Sequence, residues 1–174
     1  NEKATKEISR HHKVTVSTSG LISILGGKWT TYRKMAEDTV NTARSVAGLQ
    51  DRECITHNLT IHGYDYSSNW KNPIHFYGTD IEKIENLDSN GNSSISEKFF
   101  ISKNQIIWSI RNEMAMNLED VMARRTRSLF LDANESLRIA PKVIEIMANE
   151  MKKNTNWIKN EIAKFEKLAK NYMM

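Results

Sequence analysis

The residues with the clearest chemical potential form one run, Gly26-Gly27-Lys28-Trp29-Thr30-Thr31. Two glycines after an apolar stretch let the backbone turn tightly and approach a ligand closely. The residues that follow favour a helix, whose first N–H groups have no partner within the helix and whose N-terminal end carries about half a positive charge. Lys28 adds a full charge. The run therefore predicts a site for a phosphate, a carboxylate or another electron-rich group.

The spacing of the run leaves a second interpretation open, in which the glycine pair is only a tight connection and Lys28 is a solvated residue at a helix start. The run lacks the GxxxxGK[ST] spacing of a phosphate-binding P-loop, and the sequence contains no GxGxxG. The motif therefore does not by itself predict a nucleotide site.

The elements that must position this run are a pair of strands before it and a helix after it. Residues 12–25 alternate in part between apolar and polar types around Thr18-Ser19-Gly20, which predicts a β-hairpin or two short strands. Helix formers dominate from Trp29 to Ala47, and Gly48 offers a stop. In residues 49–78 turn-forming residues interrupt each apolar run, so we expect an irregular boundary with a brief extended segment at Leu59–His62.

From residue 79 onward the patterns are almost wholly helical. Pairs that resemble capping boxes predict four helix starts, at Thr79 with Glu82, Ser102 with Gln105, Asn117 with Asp120 (opening a helix over Leu118–Arg125), and Asp132 with Glu135. Apolar side chains at helical spacing predict three buried faces: Ile81, Ile84 and Leu87; Ile106, Ile107, Ile110 and Met114; and Ile158, Ile162, Phe165, Ala169 and Tyr172. Pro141 either begins a helix or kinks a continuing one. The apolar face of the last helix, Trp157–Tyr172, could pack on the bundle or lie on an anionic membrane surface, and we favour packing.

We therefore expect a mainly α fold, in which a short β-hairpin and a helix precede a small helical bundle. The predicted domains are residues 1–48, which would belong to a larger ligand-binding domain, a boundary at 49–78, and the bundle at 79–174. Because the sequence begins at Asn1 rather than at methionine, we expect it to be part of a longer protein.

The composition of the chain limits the classes of protein to which it can belong. Hydrophobic residues make up 39% and charged residues 26%, as in soluble globular proteins. No apolar run approaches the roughly 20 residues that cross a bilayer. The net charge of +4 is dispersed and does not predict nucleic-acid binding. The single cysteine, Cys54, excludes an intrachain disulfide and fits a reducing compartment.

Two further sets of residues are given structural interpretations. Three histidines fall in the irregular stretch without carboxylate partners at ligand spacing, so we do not predict a metal site there: His57, His62 and His75. Three arginines could form a basic patch, but neighbouring acidic residues favour ion pairs that fasten helices or a subunit contact: Arg124, Arg125 and Arg127.

Two strings carry a resemblance to a known family. Residues 21–38, LISILGGKWTTYRKMAED, resemble the signature of FAD-dependent glycerol-3-phosphate dehydrogenases and the related glycerophosphate oxidases. Residues 111–115, 118–121 and 123–133 resemble the helical C-terminal domain of the same family. The strings occur in the family's order, and the similarity spans nearly the whole chain.

The resemblance implies specific roles for residues of this chain. Gly26, Gly27, Lys28, Trp29, Thr30 and Thr31 would contact FAD, with the N–H groups of the last three near the pyrimidine edge of the flavin. Lys28 would also lie beside the substrate. Arg10 would bind the substrate's phosphate, because a guanidinium can hold two phosphate oxygens at once. The family's proton-accepting histidine lies upstream, so we expect no catalytic residue here and do not assign that role to His11 or His12.

The resemblance also implies an activity for the parent protein. It would oxidise sn-glycerol 3-phosphate to dihydroxyacetone phosphate and pass electrons to a quinone, or to oxygen if it is an oxidase. The expected partners are the upstream domain of the same chain and a possible second copy, without nucleic acid, and the expected location is the cytoplasm at the face of the cytoplasmic membrane. The fragment alone would be inactive. An independent helical interaction module is the alternative from another class.

Overall fold

A computed structural model describes residues 11–173 of the chain. The chain divides between Ile61 and His62 into two compact units. This division falls inside the stretch expected to be a boundary, whereas the predicted domain limits at residues 48 and 79 stay a prediction. The chain is mainly helical after a short antiparallel hairpin, as predicted.

The first unit contains a hairpin and a helix. Strand β1 (Lys13–Val16) pairs antiparallel with β2 (Ile22–Leu25), so the hairpin alternative is confirmed. A short 3-10 helix, Trp29–Thr31, then leads directly into α1, Tyr32–Val46. The predicted helix therefore exists, with a tighter first turn than an α-helix.

None of the described residues in this first unit, 11–61, is buried. Many of its large apolar side chains are exposed, including Leu21, Leu25, Trp29, Tyr32, Val40, Ile55, Leu59 and Ile61. A two-stranded hairpin needs further strands or a packed helix to be stable in water, because apolar burial provides most of the stabilisation. The described part of this unit thus has no core of its own. The segment Leu59–His62, expected to be extended, forms no strand.

The second unit is built from helices. Its elements are a 3-10 helix at His75–Asp80, α2 at Ile81–Glu85, α3 at Lys103–Asn112, a π-helix at Asp120–Arg125, α4 at Ser128–Leu131, α5 at Ala133–Met151, α6 at Thr155–Ala169, and a 3-10 helix at Lys170–Tyr172. Pro141 lies inside α5, so the alternative of a continuing helix is the correct one. No helix among the described residues combines the length and the apolar character needed to cross a membrane.

Two groups of buried side chains hold the second unit together. The larger group joins the helices from α3 to α6 and includes Leu118, Met122 and Phe165, each 2% exposed or less. The smaller group, built around Ile84 and Trp108, packs α2 against α3. Each large apolar side chain that is fully buried contributes about 1.5–3 kcal/mol. The predicted faces on α2 and α6 are confirmed at Ile84 and Phe165, and Tyr172, at the end of the α6 stripe, is 48% exposed.

The helix starts follow the predicted capping pattern only in part. Ser102 Oγ accepts the Gln105 N–H at 3.2 Å and Gln105 Oε1 accepts the Ser102 N–H at 3.0 Å, which confirms this capping box. Asp132 caps α5 by accepting the Glu135 N–H at 2.9 Å. The prediction at Thr79 is wrong, because this residue lies within the preceding 3-10 helix and its N–H donates to a carbonyl oxygen outside that helix.

Two further expectations for the bundle are corrected. Leu118–Arg125 was expected to be an ordinary helix, but from Asp120 onward it is a π-helix in which Thr126 N–H donates to Val121 O, five residues back, at 2.9 Å. Met114 was placed on the buried face of α3, yet it is 80% exposed. The reason is that α3 ends at Asn112 and Met114 has a left-handed backbone, with φ 57°.

Candidate functional site

The turn between β2 and α1 depends on its two glycines. Gly26 and Gly27 have φ values of 79° and 87°, a region that other residues rarely adopt. A Cβ atom on Gly27 would also collide with the side chain of Met35. Both positions therefore require glycine, and the backbone of the turn is left uncovered by side chains of its own.

The first helical turn after the glycines is closed by Thr31. Its hydroxyl accepts the Lys28 N–H at 3.1 Å and donates to the Lys28 carbonyl oxygen at 3.0 Å. The Thr31 N–H donates to the same carbonyl oxygen at 3.0 Å. The hydroxyl and the N–H group of Thr31 are thus engaged within the turn, and the N–H groups of Trp29 and Thr30 are the ones that a helix start leaves without an internal partner.

Lys28 gives this helix start a positive charge. The first turns of the 3-10 helix and of α1 contain no acidic residue. Lys28 is exposed, and no described carboxylate lies within ion-pair distance of it. Trp29 is 91% exposed. Helix N-termini stabilise anions, so this arrangement can bind an anionic group or stabilise negative charge that develops on a bound molecule.

A hydrogen-bonded group behind the turn joins the start of the hairpin to α1. His12 Nε2 lies 2.8 Å from Asp38 Oδ2, and Lys34 Nζ lies 2.9 Å from Asp38 Oδ1. Hydrogen bonds from Lys34 and His12 lower the pKa of Asp38 below its usual value, and Lys34 has the larger effect. The Lys34–Asp38 pair was readable from its i,i+4 spacing. The His12–Asp38 pair gave no sequence signal, because 26 residues separate its members.

A second cluster lies between α1 and the following irregular segment. Arg33 donates to Glu37 Oε2 at 2.8 Å and to Thr56 Oγ1 at 3.1 Å, and its guanidinium lies 4.0 Å from Cys54 Sγ. A hydrogen bond with Thr56 lowers the pKa of Cys54. These residues line a cleft of about 660 Å³ whose wall is largely apolar, with Val40 and Ile55 among its members. Sequence reasoning did not detect this cleft.

The histidines require one correction. His57 Nε2 lies 3.7 Å from Glu37 Oε2, and His62 Nε2 lies 2.5 Å from Asp80 Oδ2, so two of the three have carboxylate neighbours in space. Among the described residues, however, no three or more His, Cys, Asp or Glu side chains are placed to hold a metal ion.

The structure describes all of the predicted site residues except Arg10. Gly26, Gly27 and the four residues that follow form one continuous surface around the helix start. Arg10, predicted to bind a phosphate, lies outside the described residues, so its position relative to Lys28 stays a prediction. Two of the arginines expected to form ion pairs do so: Arg124 contacts Glu119 at 2.6 Å and Asp120 at 2.8 Å, and Arg125 Nε lies 3.6 Å from Glu113 Oε2.

Nearly the whole chain is similar in sequence to part of several longer proteins. It is 33% identical to a probable mitochondrial glycerol-3-phosphate dehydrogenase of Dictyostelium discoideum, over 99% of this chain and 30% of that protein. It is 33% identical to the mitochondrial glycerol-3-phosphate dehydrogenase of Mesocricetus auratus, over 84% of this chain and 23% of that protein. With the Homo sapiens protein of the same name the identity is 31%, over 88% of this chain and 24% of that protein.

The chain thus spans less than a third of the length of these curated relatives. No solved structure matches it significantly. A family model described as the C-terminal domain of alpha-glycerophosphate oxidase matches residues 18–158, which include the glycine turn and most of the helical bundle. The chain therefore belongs to the family defined by the C-terminal domain of alpha-glycerophosphate oxidase.

Proposed function

We propose that this chain is the C-terminal part of an FAD-dependent glycerol-3-phosphate dehydrogenase, which oxidises sn-glycerol 3-phosphate to dihydroxyacetone phosphate. The relatives carry the name glycerol-3-phosphate dehydrogenase, and they are about three to four times as long as the aligned part. The observation that carries the proposal is the helix start after Gly26 and Gly27, which presents unpaired N–H groups and Lys28 without a neighbouring described carboxylate.

The residues at this helix start fit a flavin. Gly26 is exposed and has a positive φ, so it brings backbone to the surface without a side chain and a flat ring can approach closely there. The N–H groups of Trp29 and Thr30 are suited to an electron-rich ring edge, whereas Thr31 supports the turn. When bound, FAD would supply the hydride acceptor. The helix dipole and Lys28 would then stabilise the negative charge that hydride transfer leaves.

The substrate would be recognised through its phosphate. Arg10 is proposed to hold two phosphate oxygens, and Lys28 to contact both substrate and cofactor. The group that accepts the hydroxyl proton is proposed to come from the part of the parent outside this chain. The described residues thus contribute charge and backbone donors rather than an acid or a base.

The electron acceptor is proposed to be a quinone, because the names of the relatives are those of dehydrogenases. Oxygen is the alternative, which the oxidase family model supports. Assays of the full-length parent with a soluble quinone analogue and with oxygen distinguish the two. Faster reduction of the quinone supports a dehydrogenase, and stoichiometric hydrogen peroxide supports an oxidase.

The parent is also proposed to lie at a membrane surface. We predicted the cytoplasmic face of the cytoplasmic membrane, whereas the relatives are named as mitochondrial proteins. Fractionation of cells that express the full-length protein, followed by a high-salt wash, tests both the compartment and the peripheral attachment. The proposed partners are the upstream domain of the same chain and a second copy in a homodimer.

The decisive experiment uses the full-length parent and this chain side by side. The parent is expected to purify with the absorbance of a flavin and to oxidise sn-glycerol 3-phosphate, whereas residues 1–174 alone are expected to bind no FAD and to show no activity. A flavin-free parent that leaves sn-glycerol 3-phosphate unchanged would contradict the proposal. In that case, specific binding of a protein by the isolated chain would support the interaction module instead.

A further inference from the structure

We infer that His12 and Asp38 form a positioning pair that fixes the Gly26–Gly27 turn, and with it Lys28, on the first turns of α1. The catalytic part of this inference rests on the proposed function, whereas its structural part does not. In this inference His12 acts through the turn rather than by contact with the substrate or the cofactor.

The geometry places His12 beside the turn. It directly precedes β1, and the pairing of Lys13 with Leu25 brings it opposite Gly26 where the two strands end. The Cβ atom of His12 lies 3.5 Å from the place that a Cβ on Gly27 would occupy, and the Met35 side chain fills that place itself. Gly27 is therefore packed between a side chain of α1 and a side chain of the hairpin.

The imidazole of His12 extends from this contact to α1. Its Nε2 lies 2.8 Å from Asp38 Oδ2, one helical turn beyond Met35. The other carboxylate oxygen of Asp38 is held by Lys34 at 2.9 Å. The side chains of His12 and Asp38 are 22% and 33% exposed, so their contact is partly shielded from water. The two carboxylate oxygens of Asp38 thus make separate contacts, one with its own helix and one with the hairpin.

The turn needs such a support because of its sequence. Two consecutive glycines have more backbone freedom than any other pair of residues, so their own conformational preferences do not fix the direction of the next helix. Catalysis depends on the placement of charge, and a displacement of about 1 Å can cost roughly 100-fold in rate. A contact that anchors the hairpin on both Met35 and Asp38 restricts this freedom.

The test compares variants of the full-length parent. His12→Ala removes the bridge, and Lys34→Ala is the matched control, because it removes the other partner of Asp38 and leaves the hairpin contact intact. His12→Gln is the rescue variant, since its amide can still donate to Asp38. The measurements are hydrogen exchange in the peptide that covers residues 26–32, the absorbance spectrum of the bound flavin, and kcat and KM for sn-glycerol 3-phosphate.

We expect His12→Ala to accelerate exchange in residues 26–32, to shift the flavin spectrum and to lower kcat/KM by roughly 10- to 100-fold. Lys34→Ala should remain within about twofold of the wild type, in line with the small contribution of exposed ion pairs, and His12→Gln should recover most of the loss. Equal effects of His12→Ala and Lys34→Ala would overturn the inference. So would a lower melting temperature for His12→Ala without a change in exchange and kinetics. If the wild-type parent lacks flavin, the proposed function fails, and the exchange comparison still tests the pair.

Discussion

The carbonyl oxygen of Gly63 occupies the space that a Cβ atom on Gly78 would need. The same oxygen accepts the Thr79 N–H at 3.2 Å, so the two segments are held in contact by a backbone hydrogen bond. Gly78 also has a φ of 53° and a ψ of −120°, a combination that only glycine adopts readily. The start of the second unit is therefore joined to the entry of α2 by direct contact of two backbones.

Gly78→Ala should destabilise the second unit by roughly 2–5 kcal/mol, because backbone strain and a steric collision add together. Urea unfolding of the chain measures the loss. Gly63→Ala is the control, since its φ of 81° is strained but its Cβ would lie at an ordinary 3.4 Å from the nearest atom. We expect that variant to lose about 1–2 kcal/mol. Equal losses of stability for the two variants would contradict this prediction, because they would show that the backbone moves to relieve the collision between the new Cβ atom at position 78 and the Gly63 carbonyl group.

Glu135 should make the second unit sensitive to acid. Hydrogen bonds from Arg138 and Ser96 lower the pKa of Glu135 from its usual 4.5 to about 2, and Arg138 has the larger effect. Since the folded state lowers the pKa, the stabilisation is fully present above pH 4.5 and is lost as the pH falls toward 2. The free energy of unfolding should therefore decrease across this window.

The matched variant for this prediction is Glu135→Gln. It should be less stable than the wild type at neutral pH, and the difference between the two should shrink as the pH falls from 4.5 to 2. Urea unfolding at several pH values measures both effects. A difference that stays constant with pH would show that the ionised carboxylate does not provide the stabilisation.

Lys28→Ala in the full-length parent should lower kcat by roughly 100-fold, because removal of a charge that stabilises a transition state typically has such an effect. Arg10→Ala should instead raise KM for sn-glycerol 3-phosphate by roughly 10- to 100-fold, as expected for lost hydrogen bonds to a charged group. Lys13→Ala, an exposed lysine on β1, is the control and should behave as the wild type. Steady-state kinetics that match the wild type for both site variants would remove the site assignment.

Phe165→Ala should cost about 3–5 kcal/mol, because the side chain is 2% exposed and its removal leaves a cavity in the larger core. Phe130→Ala changes the same residue type at a position that is 58% exposed. We expect it to cost less than about 1 kcal/mol. Thermal or urea unfolding of the two variants gives the comparison, and similar losses would contradict the assignment of the core.

Local patterns predicted the elements whose signals lie within a few residues. The hairpin, the capping box at Ser102 and the buried stripe of α6 belong to this class. The prediction for Thr79 was wrong because a contact distant in sequence, with Gly63, decided its environment. The prediction for Met114 was wrong because α3 ends earlier, at Asn112. Propensity is a weak prior where tertiary contacts compete with it.

The candidate site was predictable to a similar extent. The glycine pair and Lys28 were readable because turn, charge and helix start are consecutive in the sequence. The role of Arg10 came from family resemblance, and it is still untested. The His12–Asp38 contact could not be predicted from one sequence, because it depends on how the hairpin folds back on α1.

The π-helix at Asp120–Arg125 depends on the number of residues in this segment as much as on their types. Deleting one residue would remove the i,i+5 spacing of the Thr126–Val121 hydrogen bond, and the ordinary α-helix that could then form would redistribute the side chains within the segment. Arg125, which now donates to the Glu113 carbonyl oxygen, would then point elsewhere. Substitution of the exposed Arg124 would therefore disturb this segment less than the loss or gain of a residue within it.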